Sequence, residues 1–201
     1  MVLFNRKLPA LGLALALLFA ASPAAAAFID DYAFANWSLT QTPGADGFVV
    51  PSGAPTDTIV LTGSEANGTP APPADDPSVT DFTITVATSG TISFDWDYQS
   101  LDAADWDRGA YLVNGGEFFL AQNDSATSNG TVTIAVTAGD VFGFRVGSRD
   151  QAFSPGILTI DNFSFVPEPS TAVLLLLGTI GLAVAGRRRT PGAGYAAVPT
   201  R

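Results

Sequence analysis

The side chains that most often do chemistry are missing from this sequence, and their absence narrows its function first. Its 201 residues include no histidine and no cysteine, and between Phe28 and Val166 the only cations are Arg108, Arg145 and Arg149. A serine or threonine nucleophile needs a neighbouring base. With neither His nor Lys in that stretch, serine-hydrolase chemistry has none, and thiolate catalysis, disulfides and thiolate metal sites go with the cysteines. Carboxylates remain: eighteen lie between Phe28 and Val166, for a net charge of −15. Glycoside hydrolysis needs two of them, one held protonated in an apolar pocket. No spacing selects such a pair, and the only glutamates there, Glu65 and Glu117, sit close to turn glycines. The chain is expected not to be an enzyme, with a carboxylate-dependent glycan hydrolase as the least favoured alternative.

Two binding chemistries stay open. Asp95 and Asp97 share one face of a strand by the period of two, and Asp102, Asp105 and Asp107 lie in the loop just beyond. Hard oxygen donors of this kind suit Ca²⁺, although the run lacks the EF-hand order and Arg108 offsets one charge. A solvated acidic loop is the other reading. Trp106 stands in that loop outside any alternating pattern, which makes it the candidate for stacking against a sugar. Trp37 and Trp96 fall on core positions, while Tyr98 and Phe153 fit either a sheet edge or the core. The charge argues against nucleic acid, whose affinity comes from cations that neutralise phosphates. It would also repel anionic headgroups and attract divalent cations or cationic polymers, or serve solubility alone.

The elements that must position these residues are strands. Phe82, Ile84 and Val86 alternate with polar residues, Ser89-Gly90 intervenes, and Ile92, Phe94, Trp96 and Tyr98 alternate again, which predicts a hairpin. A second hairpin is expected from Val132, Ile134 and Val136 through Ala138-Gly139-Asp140 to Phe142, Phe144 and Val146. Weaker strands are expected over 37–40, 48–50, 58–62, 111–113 and 118–121, with turn signals at Gly63-Ser64, Asn114-Gly115-Gly116 and Asn129-Gly130. No long amphipathic helix appears. The expectation is an all-β domain over 28–166, a two-sheet, jelly-roll-like sandwich, with a proline-rich loop over 68–77. Near its end Leu158 and Ile160 share one parity and Phe163 and Phe165 the other, so Asp161-Asn162 reads as a bulge or as a strand buried on both faces.

The two ends carry addresses. Residues 1–27 show basic Arg6 and Lys7, an apolar run over 10–21, Ser22-Pro23 and four alanines, the three parts of a secretory signal peptide. The small-x-small rule permits cleavage before Ala27 or before Phe28, so Ala26 and Ala27 flank the site, and the partners implied are the secretory translocon and signal peptidase. At the other end Pro167-Glu168-Pro169 precedes an apolar stretch over 172–186 and then Arg187, Arg188 and Arg189. Fifteen helical residues cover roughly 22 Å of a hydrocarbon core of about 30 Å, enough for a thin-membrane helix if the arginines snorkel. The triple arginine marks the cytoplasmic side and places everything before it outside. The tail over 190–201 reads as disordered.

The segment from Pro167 to Arg189 resembles the PEP-CTERM sorting signal of bacteria that secrete extracellular polysaccharide. That resemblance implies recognition and cutting by exosortase; the additional tail after the basic cluster departs from the pattern. Asn36-Trp37, the run 59–64, Phe94-Asp95-Trp96-Asp97-Tyr98, the run 111–115, the run 138–146 and Ile160-Asp161-Asn162-Phe163 look like the sandwich ectodomains often attached to that signal, a likeness that implies fold and no activity. The expected protein is therefore exported, anchored in the inner membrane with its domain outside the cytoplasm, then processed to the cell surface or matrix. Its expected role is structural or binding, with an exopolysaccharide-binding module as the alternative.

Overall fold

A computed structural model describes residues 28–53, 56–65, 78–101, 106–121, 127–149, 154–168 and 178–182. Two 3₁₀ turns, Asp30–Tyr32 and Phe34–Asn36, lead into ten strands: β1 (Ser38–Gln41), β2 (Phe48–Ser52), β3 (Thr58–Thr62), β4 (Ser78–Thr85), β5 (Gly90–Gln99), β6 (Asp107–Val113), β7 (Gly116–Ala121), β8 (Thr127–Val136), β9 (Val141–Ser148) and β10 (Ile157–Pro167). They form an all-β, two-sheet sandwich. Sheet I has the order β1-β4-β9-β6-β7 and sheet II the order β2-β3-β10-β5-β8.

Alternation decides which side chains meet between the sheets. Sheet I contributes Phe82, Ile84, Phe142, Phe144 and Val146, and sheet II contributes Ile59, Leu61, Ile92, Phe94, Leu158, Ile160 and Phe163, all buried. Trp37 joins the two sets. Its ring stacks on Phe82 at 5.1 Å and on Phe144 at 5.7 Å, and meets Phe28, Phe142 and Phe163 edge-on. Its indole Nε1 donates to the Tyr32 carbonyl at 3.0 Å, which satisfies the one polar atom of a buried tryptophan. Trp96 is half-buried against the same core.

Both expected hairpins are overturned. β4 lies in sheet I and β5 in sheet II, and β8 and β9 are divided in the same way. A short turn between two amphipathic strands serves a hairpin and an arch between sheets equally, because in either case the apolar faces end up pointing inward. The two arches are tied to each other: Val86 N donates to the Asp140 carbonyl and Gly139 N to the Val86 carbonyl, both at 2.8 Å. True hairpins occur at β2–β3 and at β6–β7. In the latter, Asn114 and Gly115 both take positive φ (51° and 78°), the requirement of a type I′ turn. Asn129-Gly130 is no turn, since it lies within β8, where Gly130 leaves room for the ring of Trp96.

The bulge at Asp161-Asn162 is present. Asn162 has φ +51°, a region that asparagine tolerates better than most residues, and the inward parity changes from Leu158 and Ile160 to Phe163 and Phe165 across it. The proline-rich loop over 68–77 and the signal segment over 1–27 lie outside the described residues. From Pro167 the chain forms a separate unit in which residues 178–182 are helical, and most of the apolar stretch over 172–186 lies outside the described residues. Among the described residues no helix is long and apolar enough to cross a membrane.

With no disulfide to hold the sheets, the Trp37 stack should carry a large share of stability. Trp37→Ala is expected to cost about 3–5 kcal/mol, measured by denaturant unfolding of the exported protein; a loss under about 1 kcal/mol would show that the stack is dispensable.

Candidate functional site

The strand order of sheet I collects one group of side chains on its outer face. Along β9 the inward residues are Phe142, Phe144 and Val146, which leaves Val141, Gly143, Arg145 and Gly147 facing out. Register places Asp81 of β4 and Ala110 of β6 beside Arg145, and Arg108 of β6 beside Gly147. The hairpin register places Glu117 of β7 opposite Leu112 and Phe119 opposite Ala110, before a register shift between Gly109 and Ala110 puts Ala121 opposite Gly109. Trp106 precedes β6, and its carbonyl accepts from Arg149 N at 2.8 Å, continuing the ladder by one rung. By alternation both side chains fall on the same outer side.

The charges there are interlocked. Arg145 donates through Nε and Nη2 to the two oxygens of Asp81, each at 2.7 Å, and its Nη1 lies 3.8 Å from Glu117. That carboxylate pairing holds the guanidinium above its ordinary range, against the opposing effect of burial. Arg108 sits 3.5 Å from Glu117 and stands over the ring of Phe119 at 5.2 Å. Ala110 and Leu112 are buried on this open side because long charged side chains in register with them cover them. Phe119 is 39% exposed and Trp106 42%. At the other end of the face a groove of about 450 Å³ is lined by Asp31, Asn36, Ser38, Thr83, Thr85 and Val141, among others.

Of the aspartates expected to share a metal, the three that are described are divided between the two sheets. Asp95 and Asp97 project from the outer face of sheet II, where Asp95 accepts from Thr131 Oγ1 at 2.5 Å and Asn162 Nδ2 at 2.7 Å, and Asp97 accepts from Gln99 at 3.0 Å. Asp107 belongs to sheet I and is buried, accepting from Ser100 Oγ at 2.9 Å. Asp102 and Asp105 lie outside the described residues, as do Phe153, Pro169, Ala26, Ala27 and the three arginines over 187–189. Among the described residues no three acidic side chains are grouped to hold a metal ion. Tyr98 is core, with its ring against Gly109. Pro167 and Glu168 are exposed at the end of β10.

Sequence reasoning named Trp106 but missed Arg108, Arg145, Arg149 and Phe119 as its companions. The parity of Arg145 against Phe142, Phe144 and Val146 already placed it outward. What no local pattern supplied was the adjacency of β4, β9, β6 and β7.

The comparisons with known proteins bear on delivery. Residues 165–189 match the model of the PEP-CTERM protein-sorting motif, so the chain carries that motif, which implies an exported surface protein sorted by exosortase. No curated protein matches the sequence. Among solved structures, the N-terminal cellulose-binding domain of Cellulomonas fimi β-1,4-glucanase C is similar at 15% identity, covering 67% of this chain and 90% of that one, with a TM-score of 0.36. The K1 cleaved adhesin domain of Porphyromonas gingivalis Lys-gingipain is similar at 13% identity, with 67% and 92% covered and a TM-score of 0.38. The CBM35 module of Cellvibrio japonicus Abf62 is similar at 16% identity, with 66% and 95% covered and a TM-score of 0.33.

Two carboxyls are held below the ordinary range: Asp95 by the Thr131 hydroxyl and then the Asn162 amide, and Asp140 by the Asn114 amide and then the Thr137 N–H. A depressed folded pKa contributes stability above the unfolded value of about 3.9, and that contribution is lost as pH falls through the folded value. Denaturant midpoints should therefore fall below about pH 4, and fall less steeply in the Asp95→Asn, Asp140→Asn double variant. Parallel pH profiles would show that these bonds do not couple to folding.

Proposed function

We propose that this chain is an exosortase substrate of the cell surface or extracellular matrix whose sandwich binds a glycan and does no catalysis. The observation that carries the delivery half is the position of the sorting motif. Its match begins at Phe165, inside β10, and Pro167, the first residue of the Pro-Glu-Pro segment, is the last residue of that strand. Around it we place the remaining steps: export by the translocon, signal peptidase cleavage beside Ala26 and Ala27, a membrane helix over 172–186 stopped by Arg187, Arg188 and Arg189, and exosortase processing at Pro167-Glu168-Pro169. The strand order supports reading β3 to β10 as a jelly roll, β3-β10-β5-β8 over β4-β9-β6-β7, with β1 and β2 added at its edges.

The binding half rests on the outer face of sheet I. Sugar hydroxyls are recognised by planar, fixed polar groups, and sugar rings pack on exposed aromatic faces. Arg108, Arg145, Asp81 and Glu117 supply the first, while Phe119 and Trp106 supply the second. A hydrolase needs one carboxyl kept protonated, whereas Asp81 and Glu117, the carboxylates beside the aromatic rings, are both engaged by arginine. A purely structural role is the remaining reading. Ca²⁺ enters only through Asp102, Asp105 and Asp107, and a melting temperature equal in calcium and in chelator removes it.

Two measurements test the proposal. Mass spectrometry of the mature protein should find a C-terminus near Pro167 to Ser170; a species retaining Arg187 to Arg201 would make it an unprocessed membrane protein. Retention on the producing organism's exopolysaccharide should fall about tenfold or more in the Trp106→Ala, Phe119→Ala double variant, the loss that follows when stacking on the two rings contributes about 1.4 kcal/mol or more. Absence of retention in the parent protein would leave the structural role.

A further inference from the structure

We propose that the outer face of sheet I binds an anionic polysaccharide, one bearing a carboxylate or sulfate on its rings, through Arg108 and Arg149. This rests on the glycan-binding reading above and names its ligand.

Charge is unevenly distributed through the sandwich. Between Phe28 and Val166 there are three cations, and all three lie on this one face. Among the described residues Asp81 and Glu117 oppose them at this end of the face, leaving it at +1, while Asp31 lines the groove at the other end. The outer face of sheet II carries Asp95, Asp97 and Asp161 with no cation among the described residues. A net charge of −15 argues against a polyanion only at long range. The sheets are about 10 Å apart, and the screening length at physiological salt is about 8 Å, so a ligand lying on sheet I meets the local sign first.

The three arginines also differ in what they have left to give. Arg145 is committed, with a bidentate pair to Asp81 and Glu117 beside it. Arg108 has one long ion pair at 3.5 Å. The Nε of Arg149 is buried and has no hydrogen-bond partner among the described residues. Gly147 lies between these two arginines, opposite Arg108 and two residues before Arg149. A Cβ there would come within 3.3 Å of Arg108 Nε, so the glycine leaves the Arg108 side chain free to lie across β9. Two guanidinium groups with donors to spare, on the same face as Trp106 and Phe119, match a planar anion on a sugar ring better than neutral hydroxyls alone.

The test is affinity electrophoresis of the exported protein in gels containing polygalacturonate, dextran sulfate or neutral dextran, at low and at physiological salt. Retardation is expected by polygalacturonate or by dextran sulfate and not by dextran, weakening with salt. Arg149→Ala should reduce it about tenfold, and Arg108→Lys, which keeps the charge but removes the fork, should reduce it by less. The polymer that retards more strongly identifies the anion as carboxylate or sulfate. Equal retardation by dextran, unchanged in both arginine variants, would overturn the anionic ligand while leaving glycan binding intact. No retardation by any polymer, including the organism's own exopolysaccharide, would overturn both. Unaltered unfolding midpoints of the two variants exclude a folding defect as the cause of any loss.

Discussion

The structure depends on one packing constraint: two sheets without disulfides must be held together by what lies between them. Trp37 meets that constraint because it reaches side chains of both sheets, stacking on Phe82 and Phe144 of sheet I and meeting Phe163 of sheet II. The 3₁₀ turns that precede β1 are part of the same device, since the Tyr32 carbonyl takes the indole proton and the Tyr32 ring packs on Phe163 and Phe165. An aromatic core of this kind keeps the strands of sheet I in fixed register. A rigid register is what a binding face needs, because side chains on four different strands must keep their spacing without a ligand present.

That register produces the chemistry of the outer face. Asp81, Arg145, Glu117 and Arg108 come from four strands and form one chain of charge only because β4, β9, β6 and β7 are neighbours in that order. The opposite outer face is different in kind. There Ser93 bonds Thr133, Thr131 and Asn162 bond Asp95, and Gln99 bonds Asp97, so the polar groups are satisfied among themselves. One face of the sandwich is closed upon itself, and the other keeps unpartnered arginine donors beside exposed aromatic rings. The sorting motif, meanwhile, begins in the strand that runs through the middle of sheet II.

Much of this was legible in the residues. The period of two in Phe82-Ile84, Ile92-Phe94, Val132-Ile134 and Phe142-Phe144 identified strands and their buried sides, and the parity break at Asp161-Asn162 identified the bulge. The Pro-Glu-Pro segment with its apolar stretch and triple arginine was readable because a sorting signal is local in sequence. Pairing was not readable. Val86 to Ser89 and Thr137 to Asp140 have the composition of hairpin turns, yet both are arches between sheets, and only the long-range pairing of β4 with β9 and of β5 with β8 distinguishes the two. The same limit separated Asp95 and Asp97 from Asp107, which are close in sequence but belong to different sheets. It also hid the arginine face, because the residues that build it are spread over sixty-nine positions from Asp81 to Arg149.

The outer face of sheet I is proposed as the surface where this protein meets its ligand. Hydrogen–deuterium exchange of the exported protein, with and without polygalacturonate, locates the contact without any substitution. The account predicts slowed exchange in the segments 106–119 and 141–149 and little change in 91–99 and 129–133. Protection confined to sheet II, or none in either sheet under conditions where the polymer binds, would contradict it.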